Sequence, residues 1–260
     1  MKLSIIKIGG NIIDDKEALD LFLKQFAAAG GHKVLVHGGG KVATAIGSKL
    51  GIEAVYVRGR RITDAATLEL VTMVYGGLIN KKIVAGLQAN RCNAIGLTGA
   101  DGGIINAVKR PVKDIDYGFV GDIHEQSVNT NSIMRLLEAG MTPVFAPLTY
   151  DGNGGLLNTN ADTIAQEVAV AMAANAEVSL IYCFEKNGVL MNADDNNSVI
   201  NTISATDFGR LCDEQIISGG MIPKLENAFA AIAKGVTRVM IGHAAELPSI
   251  LKGEAGTCIR

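Results

Sequence analysis

The sequence lacks the features that mark several classes of protein. Its 24 basic and 26 acidic side chains leave a net charge of −2, so no excess of positive charge is available to hold nucleic acid or an anionic membrane. The four cysteines form no C-x-x-C pair, and the four histidines offer no metal-ligand spacing beside them. No uncharged apolar stretch approaches the roughly 20 residues of a membrane-spanning helix, and Lys7 interrupts the N-terminal apolar run before it resembles a signal peptide. We expect a cytoplasmic protein with reduced cysteines and no metal centre.

Proline is also scarce, with 5 residues against 31 glycines in a chain of 260. This balance favours many tight turns between strands and helices, because glycine tolerates positive φ angles. Hydrophobic residues make up 48% of the chain, which is enough to build a buried core and excludes disorder. No low-complexity linker divides the sequence, so one large α/β unit and a pair of lobes both fit its length.

Strands and helices alternate along most of the chain. Short apolar runs typical of buried strands lie at residues 3–8, 33–36, 94–97, 142–145, 178–182 and 238–241. Helical periodicity separates them, for example at 18–26, from Lys41 to about Leu50, and at 161–174. This alternation predicts a mostly parallel sheet covered by helices on both faces. We also predict a hairpin over 104–120 and a soft boundary near Asn175.

Two glycine turns follow the first two strands. Lys7-Ile8-Gly9-Gly10 ends the first strand, and His37-Gly38-Gly39-Gly40 ends the second. Ligands of open α/β sheets bind outside the carboxyl ends of the strands, where backbone N–H groups and helix N-termini favour phosphate. Either turn alone is as consistent with simple chain reversal. The lysine on the first turn favours anion binding.

Known nucleotide signatures fit these turns poorly. The G-x-x-x-x-G-K-[ST] order is absent, which excludes a P-loop protein. The run Gly38–Ala43 does fit the dinucleotide pattern G-x-G-x-x-A, but it follows the second strand. Glu53, the only acid at a plausible distance, lies about 15 residues further on, against the about 20 that the pattern requires. A dinucleotide-dependent oxidoreductase is therefore the weaker alternative.

Three polar clusters, at 58–64, 157–162 and 218–224, stand in turns before predicted helices. The planar fork of arginine matches a carboxylate, so Arg58, Arg60 and Arg61 are candidates to hold an acidic substrate, with a solvated basic face as the alternative. Asparagines in such clusters commonly act as caps, and Asn160 is the expected N-cap of the helix at 161–174. Asp162 then stands in the first helical turn, where a carboxylate also suits the helix dipole.

Taken in order, the segments 5–11, 36–40, 59–64, 157–162 and 219–224 resemble the amino acid kinase family over the whole chain. The most specific runs are Arg61-Ile62-Thr63, Asn158-x-Asn160-x-Asp162 and Gly219-Gly220-Met221-Ile222-Pro223-Lys224. The resemblance implies a three-layer αβα sandwich with a mostly parallel central sheet. It further implies an N-terminal lobe over 1–175 for substrate binding and dimerisation, and a C-terminal lobe over 176–260 for ATP.

The activity implied by the resemblance is ATP-dependent phosphorylation of the side-chain carboxylate of an N-acyl-L-glutamate in arginine synthesis. Acetyl is the most expected acyl group, although the sequence does not distinguish it from succinyl. Family members that act on glutamate, carbamate or UMP share the glycine turns, but the motifs at Arg61 and Asn158 favour an acylated glutamate. A non-catalytic nucleotide- or amino-acid-binding regulator is a further alternative, disfavoured because it has no need for Lys7, Asp162 and Lys224 together.

The resemblance also implies a role for each matching residue. Lys7, Lys224 and Asp162 are the implied catalytic residues, and Gly9 and Gly10 the implied phosphate-binding pair. The implied substrate-binding residues are Gly39, Gly40, Arg61, Asn158 and Asn160. The implied ATP-binding residues are Glu185, Gly188, Val189, Leu190, Ile217 and Ser218. Mg²⁺ is expected on the ATP phosphates, with water completing its ligands. The chain departs from its relatives at 183–190, where Glu185 replaces the aspartate of their usual Asp-Val-x-Gly-Val-Leu.

We also expect a homodimer that L-arginine does not inhibit. The stretch 65–88 carries more apolar residues than one core-facing stripe requires, and family members pair through this lobe. The resemblance links arginine inhibition to an extra N-terminal helix, whereas the first strand here begins at about Leu3. The alternative for 65–88 is a helix buried within its own subunit.

Overall fold

The computed structural model describes residues 1–124, 126–219 and 221–260. Its strands are β1 (Lys2–Ile8), β2 (His32–His37), β3 (Tyr56–Val57), β4 (Arg60–Arg61), β5 (Ala94–Leu97), β6 (Val108–Lys109), β7 (Gly121–Asp122), β8 (Thr142–Phe145), β9 (Leu148–Tyr150), β10 (Leu156–Asn158), β11 (Glu177–Phe184), β12 (Thr202–Ile203), β13 (Arg238–His243) and β14 (Thr257–Ile259). Its α-helices are α1 (Gly10–Asp14), α2 (Lys16–Ala28), α3 (Gly40–Lys49), α4 (Ala65–Val71), α5 (Asn80–Ala89), α6 (Thr130–Glu138), α7 (Ala161–Ala173), α8 (Ala205–Asp213), α9 (Met221–Ala233) and α10 (Leu247–Lys252). A π-helical segment, Thr72–Ile79, joins α4 to α5, and short 3-10 turns lie at Asp101–Gly103 and Ala244–Glu246.

The central sheet has eight strands in the order β12-β14-β13-β11-β1-β2-β8-β5. The six strands from β13 to β5 are parallel to one another. At the other edge β14 runs antiparallel to β13, and β12 is parallel to β14. The predicted mostly parallel sheet is therefore confirmed. The antiparallel edge was not predicted, because β12 and β14 have only two and three residues and show no periodicity.

The residues of β1 alternate between two hydrophobic cores, one on each face of the sheet. Leu3 and Ile5 are buried in a first core with residues of α6, α7, α8 and α9. Ile6 and Ile8 are buried in a second core with residues of α2, α5 and α10. Helices thus cover both faces, which confirms the three-layer sandwich. The same alternation places Lys7 on the first-core face, at the carboxyl end of the strand.

The helix predicted at 161–174 is present as α7, and Asn160 caps it as predicted. The Asn160 side-chain oxygen accepts hydrogen bonds from the backbone N–H groups of Asp162, at 2.8 Å, and Thr163, at 3.2 Å. Capping satisfies N–H groups that have no partner within the helix. It also fixes where the first helical turn begins, and hence where the Asp162 side chain lies.

The helices α4 and α5 and the π-helical segment between them form one helical stretch, Ala65–Ala89. By length and composition alone it is apolar enough to cross a membrane, a test that core helices of soluble proteins also pass. Its residues Val71, Tyr75 and Ile79 are buried in the second core. Met73 and Leu78, by contrast, are 59% and 39% exposed. One face therefore packs on the sheet while another presents apolar side chains outward.

The hairpin predicted at 104–120 is present, with its second strand just beyond the predicted end. Strands β6 and β7 pair antiparallel, with Val108 opposite Asp122. The residues before β7 are hydrogen-bonded to the segment that follows β4. Thr63 N–H donates to the Tyr117 carbonyl at 3.0 Å, and Phe119 N–H donates to the Thr63 carbonyl at 2.7 Å. This contact holds the hairpin against the segment that carries Arg61.

The close approach of Gly118 to Thr63 gives a test of that contact. A Cβ at Gly118 would lie 2.2 Å from the Thr63 carbonyl oxygen, whereas at Gly152 it would meet nothing within 4 Å. Both glycines have positive φ, of +70° and +82°, so the backbone strain of alanine is common to the two positions. We expect Gly118→Ala to lower the free energy of unfolding in urea by about 1–3 kcal/mol more than Gly152→Ala. Equal losses would contradict the close packing of Gly118 against the Thr63 carbonyl.

Candidate active site

The carboxyl ends of three adjacent strands form the floor of a crevice. β1 lies between β2 and β11, because the chain leaves β1 to one side of the sheet and later returns on the other. These strands lead into Gly9-Gly10, Gly38-Gly39-Gly40 and Glu185. A reversal of strand order of this kind is where open α/β sheets bind their ligands.

The crevice consists of two cavities that meet at Lys7. One has a volume of about 240 Å³ and lies beside Arg61 and Asn158. The other has a volume of about 380 Å³ and lies beside Glu185 and Lys224. Both are lined by Lys7, Gly10, Gly40 and Tyr56. Two ligands bound side by side would therefore approach each other at the Lys7 ammonium group.

One carboxylate holds two lysines at this junction. The Asp162 carboxylate lies 2.7 Å from Lys7 Nζ and 3.9 Å from Lys224 Nζ. The three side chains come from the end of β1, the first turn of α7 and the first turn of α9. All three are partly shielded from water, with side-chain exposures of 13% for Lys7, 31% for Asp162 and 25% for Lys224. The sequence-predicted catalytic residues are thus brought together.

The cluster carries more positive than negative charge. Burial by itself would raise the pKa of the Asp162 carboxyl, but the charges of Lys7 and Lys224 and the hydrogen bond from Lys7 outweigh it and hold the pKa below its ordinary value. Asp162 is therefore ionised at neutral pH. Two ammonium groups against one carboxylate supply the local positive site that the net charge of the whole chain, −2, does not.

Two aromatic rings of β11 were not predicted to belong to the site. The Lys224 ammonium lies 5.9 Å from the centre of the Tyr182 ring and 5.6 Å from that of Phe184. A cation near the face of an aromatic ring is attracted by the ring quadrupole. Burial raises the pKa of the Tyr182 phenol, so this group stays protonated. Tyr182 and Phe184 are two residues apart and so share one face of the strand, and this spacing was the signal in the sequence from which they could have been predicted.

The first glycine of each turn is hydrogen-bonded to a neighbouring strand of the sheet. The Gly9 N–H donates to the Cys183 carbonyl at 3.3 Å, and the Gly38 N–H donates to the Ile8 carbonyl at 3.2 Å. Gly10 and Gly40, the first residues of α1 and α3, line the crevice with Gly39. Gly39 has φ +155°, and a Cβ there would lie 2.3 Å from Ile79 Cδ1. Only glycine fits this position.

Arg61 is the one arginine of the 58–61 cluster that is buried, at 6% exposure. Its Nη2 donates to the Gly40 carbonyl at 2.9 Å, to Thr44 Oγ1 at 2.8 Å and to the Tyr56 hydroxyl. Arg60 lines the same cavity, whereas Arg58 lines a separate cavity beside Arg110. The structure therefore brings two of the three candidate arginines to the crevice.

The side chains of the two asparagines of the site make different hydrogen bonds within the protein. Asn158 Nδ2 donates to Thr63 Oγ1 at 3.0 Å, which ties the end of β10 to the segment after β4. Asn160 lines the same cavity while its oxygen caps α7. Both residues therefore line the same cavity as the glycine turns.

The residues predicted to bind ATP are spread over several environments. Glu185 lines the larger cavity, and Ser218 is exposed just before α9. Val189 and Ile217 are each 2% exposed, with their side chains in the first core. Gly188 is packed so closely that a Cβ would lie 2.7 Å from Thr257 Oγ1, and Leu190 forms an isolated bridge with Val199. ATP contacts by these residues stay a prediction.

Metal-ligating side chains do not cluster in the part of the chain that the structure describes. No group of three histidine, cysteine, aspartate or glutamate residues there is placed to hold a metal ion. The cysteines Cys92, Cys183, Cys212 and Cys258 are free thiols, as expected. Burial raises the pKa of Cys183 to about 12, so this thiol stays protonated beside the crevice.

Two cavities that meet at Lys7, with Lys224 lining one of them, on a parallel sheet with glycine turns suit the class of α/β proteins that move a phosphate group between two bound molecules. Comparison with known sequences specifies this class further. The sequence model of the Amino acid kinase family matches residues 2–243, and the chain belongs to that family.

Relatives cover the whole chain. It is 55% identical over 259 residues to a protein named acetylglutamate kinase from Bacteroides thetaiotaomicron, covering 100% of this chain and 98% of that one. It is 58% identical over 251 residues to a protein of the same name from Cytophaga hutchinsonii, covering 96% and 94% of the two chains. Among solved structures, the protein smu.665 from Streptococcus mutans superposes with a TM-score of 0.78 at 29% identity, covering 99% and 98%.

The shared carboxylate makes stability depend on pH in a defined direction. The folded-state pKa of Asp162 lies below its ordinary value of 3.8, so its ion pairs stabilise the fold above that pH and are lost as the pH falls through the folded-state pKa. We expect Asp162→Asn to lower the urea midpoint at neutral pH, with the difference from the parent shrinking as the pH falls below 3.8. Asp20→Asn, which removes an exposed ion pair of 3.8 Å with Lys16, is the control and should change little. If the difference in urea midpoint between Asp162→Asn and the parent grew as the pH fell, the ion pairs of Asp162 would be contradicted.

Proposed function

We propose that the chain is a kinase that phosphorylates the side-chain carboxylate of N-acetyl-L-glutamate with ATP, giving an acyl phosphate for arginine biosynthesis. The observation that carries this proposal is the Lys7–Asp162–Lys224 cluster at the junction of two cavities. The names of relatives at 55% and 58% identity support the choice of substrate. In the reaction, a carboxylate oxygen bonds to the terminal phosphorus of ATP, the bond from that phosphorus to the bridging oxygen breaks, and ADP leaves.

This chemistry needs positive charge more than it needs a base. A carboxylate nucleophile is already ionised at neutral pH, so no proton has to be removed from it. The obstacle is repulsion between the carboxylate and the phosphoryl oxygens, whose charge must be stabilised while the two groups are held in line. We assign that task to the ammonium groups of Lys7 and Lys224. Asp162 holds both lysines at the junction without itself contacting the transferring group.

We assign the acyl-glutamate to the 240 Å³ cavity, in the lobe formed by residues 1–175. The buried Arg61 guanidinium and the Asn158 amide supply donors for the α-carboxylate, since arginine matches a carboxylate with two parallel hydrogen bonds. Asn160 completes this wall, and Gly39 and Gly40 line the same cavity with Lys7, so their amides can face both the acceptor and the phosphoryl group that it receives. The orientation places the side-chain carboxylate toward Lys7, where the two cavities meet.

We assign ATP to the larger cavity and to the lobe formed by residues 176–260, next to Glu185 and Lys224. The glycine amides at Gly9 and Gly10 lie beside this cavity and suit the phosphates. Mg²⁺ is expected to arrive with the nucleotide, because it is usually held by phosphate oxygens and water with few protein ligands. The scarcity of metal-ligating clusters among the described residues fits such a shared ion.

We further propose a homodimer formed through the outer face of the stretch Ala65–Ala89. A shallow cavity of about 400 Å³ on this face is lined by Leu68, Glu69, Thr72 and Met73, and Leu78 is exposed further along. Exposed apolar surface of this kind is typical of protein interfaces. Sedimentation at the mass of a single subunit would contradict the dimer.

An ADP-release assay coupled to a second enzyme tests the activity. We expect ADP release that depends on N-acetyl-L-glutamate, with lower kcat/KM for N-succinyl-L-glutamate and for free glutamate. ATP binding without ADP release for any acceptor would contradict the kinase and favour a binding protein. Higher kcat/KM for the succinyl substrate would retain the reaction and correct the acyl group.

Removal of the Lys224 charge should slow the chemical step. We expect Lys224→Ala to lower kcat by roughly 10²–10³, the typical loss for one group aimed at transition-state charge, with smaller changes in KM. Lys234→Ala, which removes an exposed lysine just after the end of α9, is the matched control. A kcat for Lys224→Ala within about threefold of the parent would show that Lys224 is only a surface lysine.

Removal of the Asn158 amide should affect the two substrates differently. We expect Asn158→Ala to raise the KM for N-acetyl-L-glutamate about tenfold or more while the KM for ATP changes less than about twofold. Asn158 is preferred to Arg61 for this test, because Arg61 holds Gly40, Thr44 and Tyr56 together, whereas the Asn158 amide bonds to Thr63. Asn153→Ala, in the exposed turn between β9 and β10, is the control. Equal increases in both KM values would contradict the assignment of the cavities.

A further inference from the structure

His37 is a buried ionisable residue beside the site with no role in the chemistry proposed above. It is the last residue of β2, is 0% exposed and directly precedes the glycine turn Gly38-Gly39-Gly40. Burial lowers the pKa of its imidazole to about 4, so the ring is neutral at physiological pH. Its Nδ1 lies 2.8 Å from the Gly38 carbonyl oxygen, and its Nε2 lies 3.2 Å from Asn80 Nδ2.

The partners fix which ring nitrogen carries the proton. A carbonyl oxygen can only accept, so Nδ1 must donate its hydrogen to Gly38. The amide of Asn80 is oriented from both ends, since its Nδ2 donates to the Val144 carbonyl at 2.9 Å and its Oδ1 accepts from the Lys81 ammonium at 3.2 Å. Nε2 of His37 therefore accepts from Asn80. The chain of hydrogen bonds from Lys81 to Gly38 has one consistent direction.

The bond to the Gly38 carbonyl also sets the direction of the next amide. In a trans peptide the C=O and the following N–H point in opposite directions, and the described chain contains no cis peptide. Because His37 holds the Gly38 carbonyl on the buried side, the Gly39 N–H points the other way, toward the crevice that Gly39 lines. Tyr75 and Ile79 fill the space where a Gly39 side chain would stand, which packs the turn from behind.

We propose that His37 is a positioning residue, which through the Asn80–His37–Gly38 hydrogen bonds directs the Gly39 N–H at the phosphoryl group during transfer. The proposal rests on the kinase function proposed above. Donors fixed before the reaction stabilise developing charge without reorganisation, so misdirection of this amide reduces kcat more than substrate binding. His37 itself touches no substrate.

The tautomer of His37 in the unmodified chain is the first test, and it requires no substrate. Nitrogen NMR of protein labelled with ¹⁵N at histidine, with the His37 signals assigned by comparison with His37→Asn, distinguishes protonated from unprotonated ring nitrogens. We expect His37 to be protonated at Nδ1 alone at neutral pH. Protonation at Nε2 would overturn the proposal, because Nδ1 then has no hydrogen to donate to Gly38. This result is independent of whether the chain proves to be a kinase.

Two substitutions then separate positioning from packing. The amide of asparagine reaches about as far as Nδ1 of histidine, whereas that of glutamine reaches about as far as Nε2. We expect His37→Gln to lower kcat about tenfold or more with both KM values within about threefold, and His37→Asn to recover most of that loss. His32→Gln, at the opposite end of β2, is the control for a histidine change on the same strand.

Three outcomes would overturn the proposal. Equal kcat for the two His37 variants would mean that donation to Gly38 is irrelevant. Loss confined to KM would mean that the residue serves binding alone. Losses that follow the melting temperature of each variant would mean that His37 only packs. Absence of kinase activity in the parent chain would instead refute the proposed function, and the tautomer measurement would still decide what His37 donates to.

Discussion

The sharing of one carboxylate by two ammonium groups is the interaction on which the rest of the site depends. Asp162 draws together the end of a central strand and the first turns of two helices, which are distant in sequence. Without Asp162, the two ammonium groups would repel each other. With Asp162 between them they remain side by side, partly dehydrated and still positive overall. The cap at Asn160 supports this arrangement, because it fixes the helical turn from which the carboxylate projects.

The site also depends on the rigidity of the two glycine turns. The turns at Gly9 and Gly38 continue the hydrogen bonding of the sheet by one more residue, so they share the rigidity of the strands they follow. In the second turn, the Gly38 carbonyl oxygen lies against the His37 ring, and the side chains of Tyr75 and Ile79 pack against Gly39. A rigid floor of this kind costs no reorganisation when charge develops above it.

The sequence predicts the parts of this structure that local patterns determine. Strands β5 and β8 have the predicted bounds, because a short apolar run between turns has few other solutions. The placement of Lys7, Asp162 and Lys224 follows from the resemblance together with strand alternation and helix capping. The roles inferred for His37 and Tyr182 were not predicted, because they depend on partners such as Asn80, which lies 43 residues after His37. Contacts between distant residues leave no periodic signal in a single sequence. The short hairpins β3–β4 and β9–β10 escaped notice because strands of two or three residues show no alternation.

These short hairpins have a consequence for how such a protein can diversify. Strands β3, β4, β6, β7, β9 and β10 pair outside the eight-stranded sheet, and residues of β3, β4 and β10 line the smaller cavity. The three charges, by contrast, stand on β1, α7 and α9. In the proposed function, the hairpin wall that selects the acceptor is thus built from other elements than the charged centre that transfers the phosphate. Insertions or substitutions in the hairpins can reshape the acceptor pocket while the sheet keeps the lysines in place. One scaffold of this kind can therefore accept acids of different shape while the chemistry of transfer stays the same.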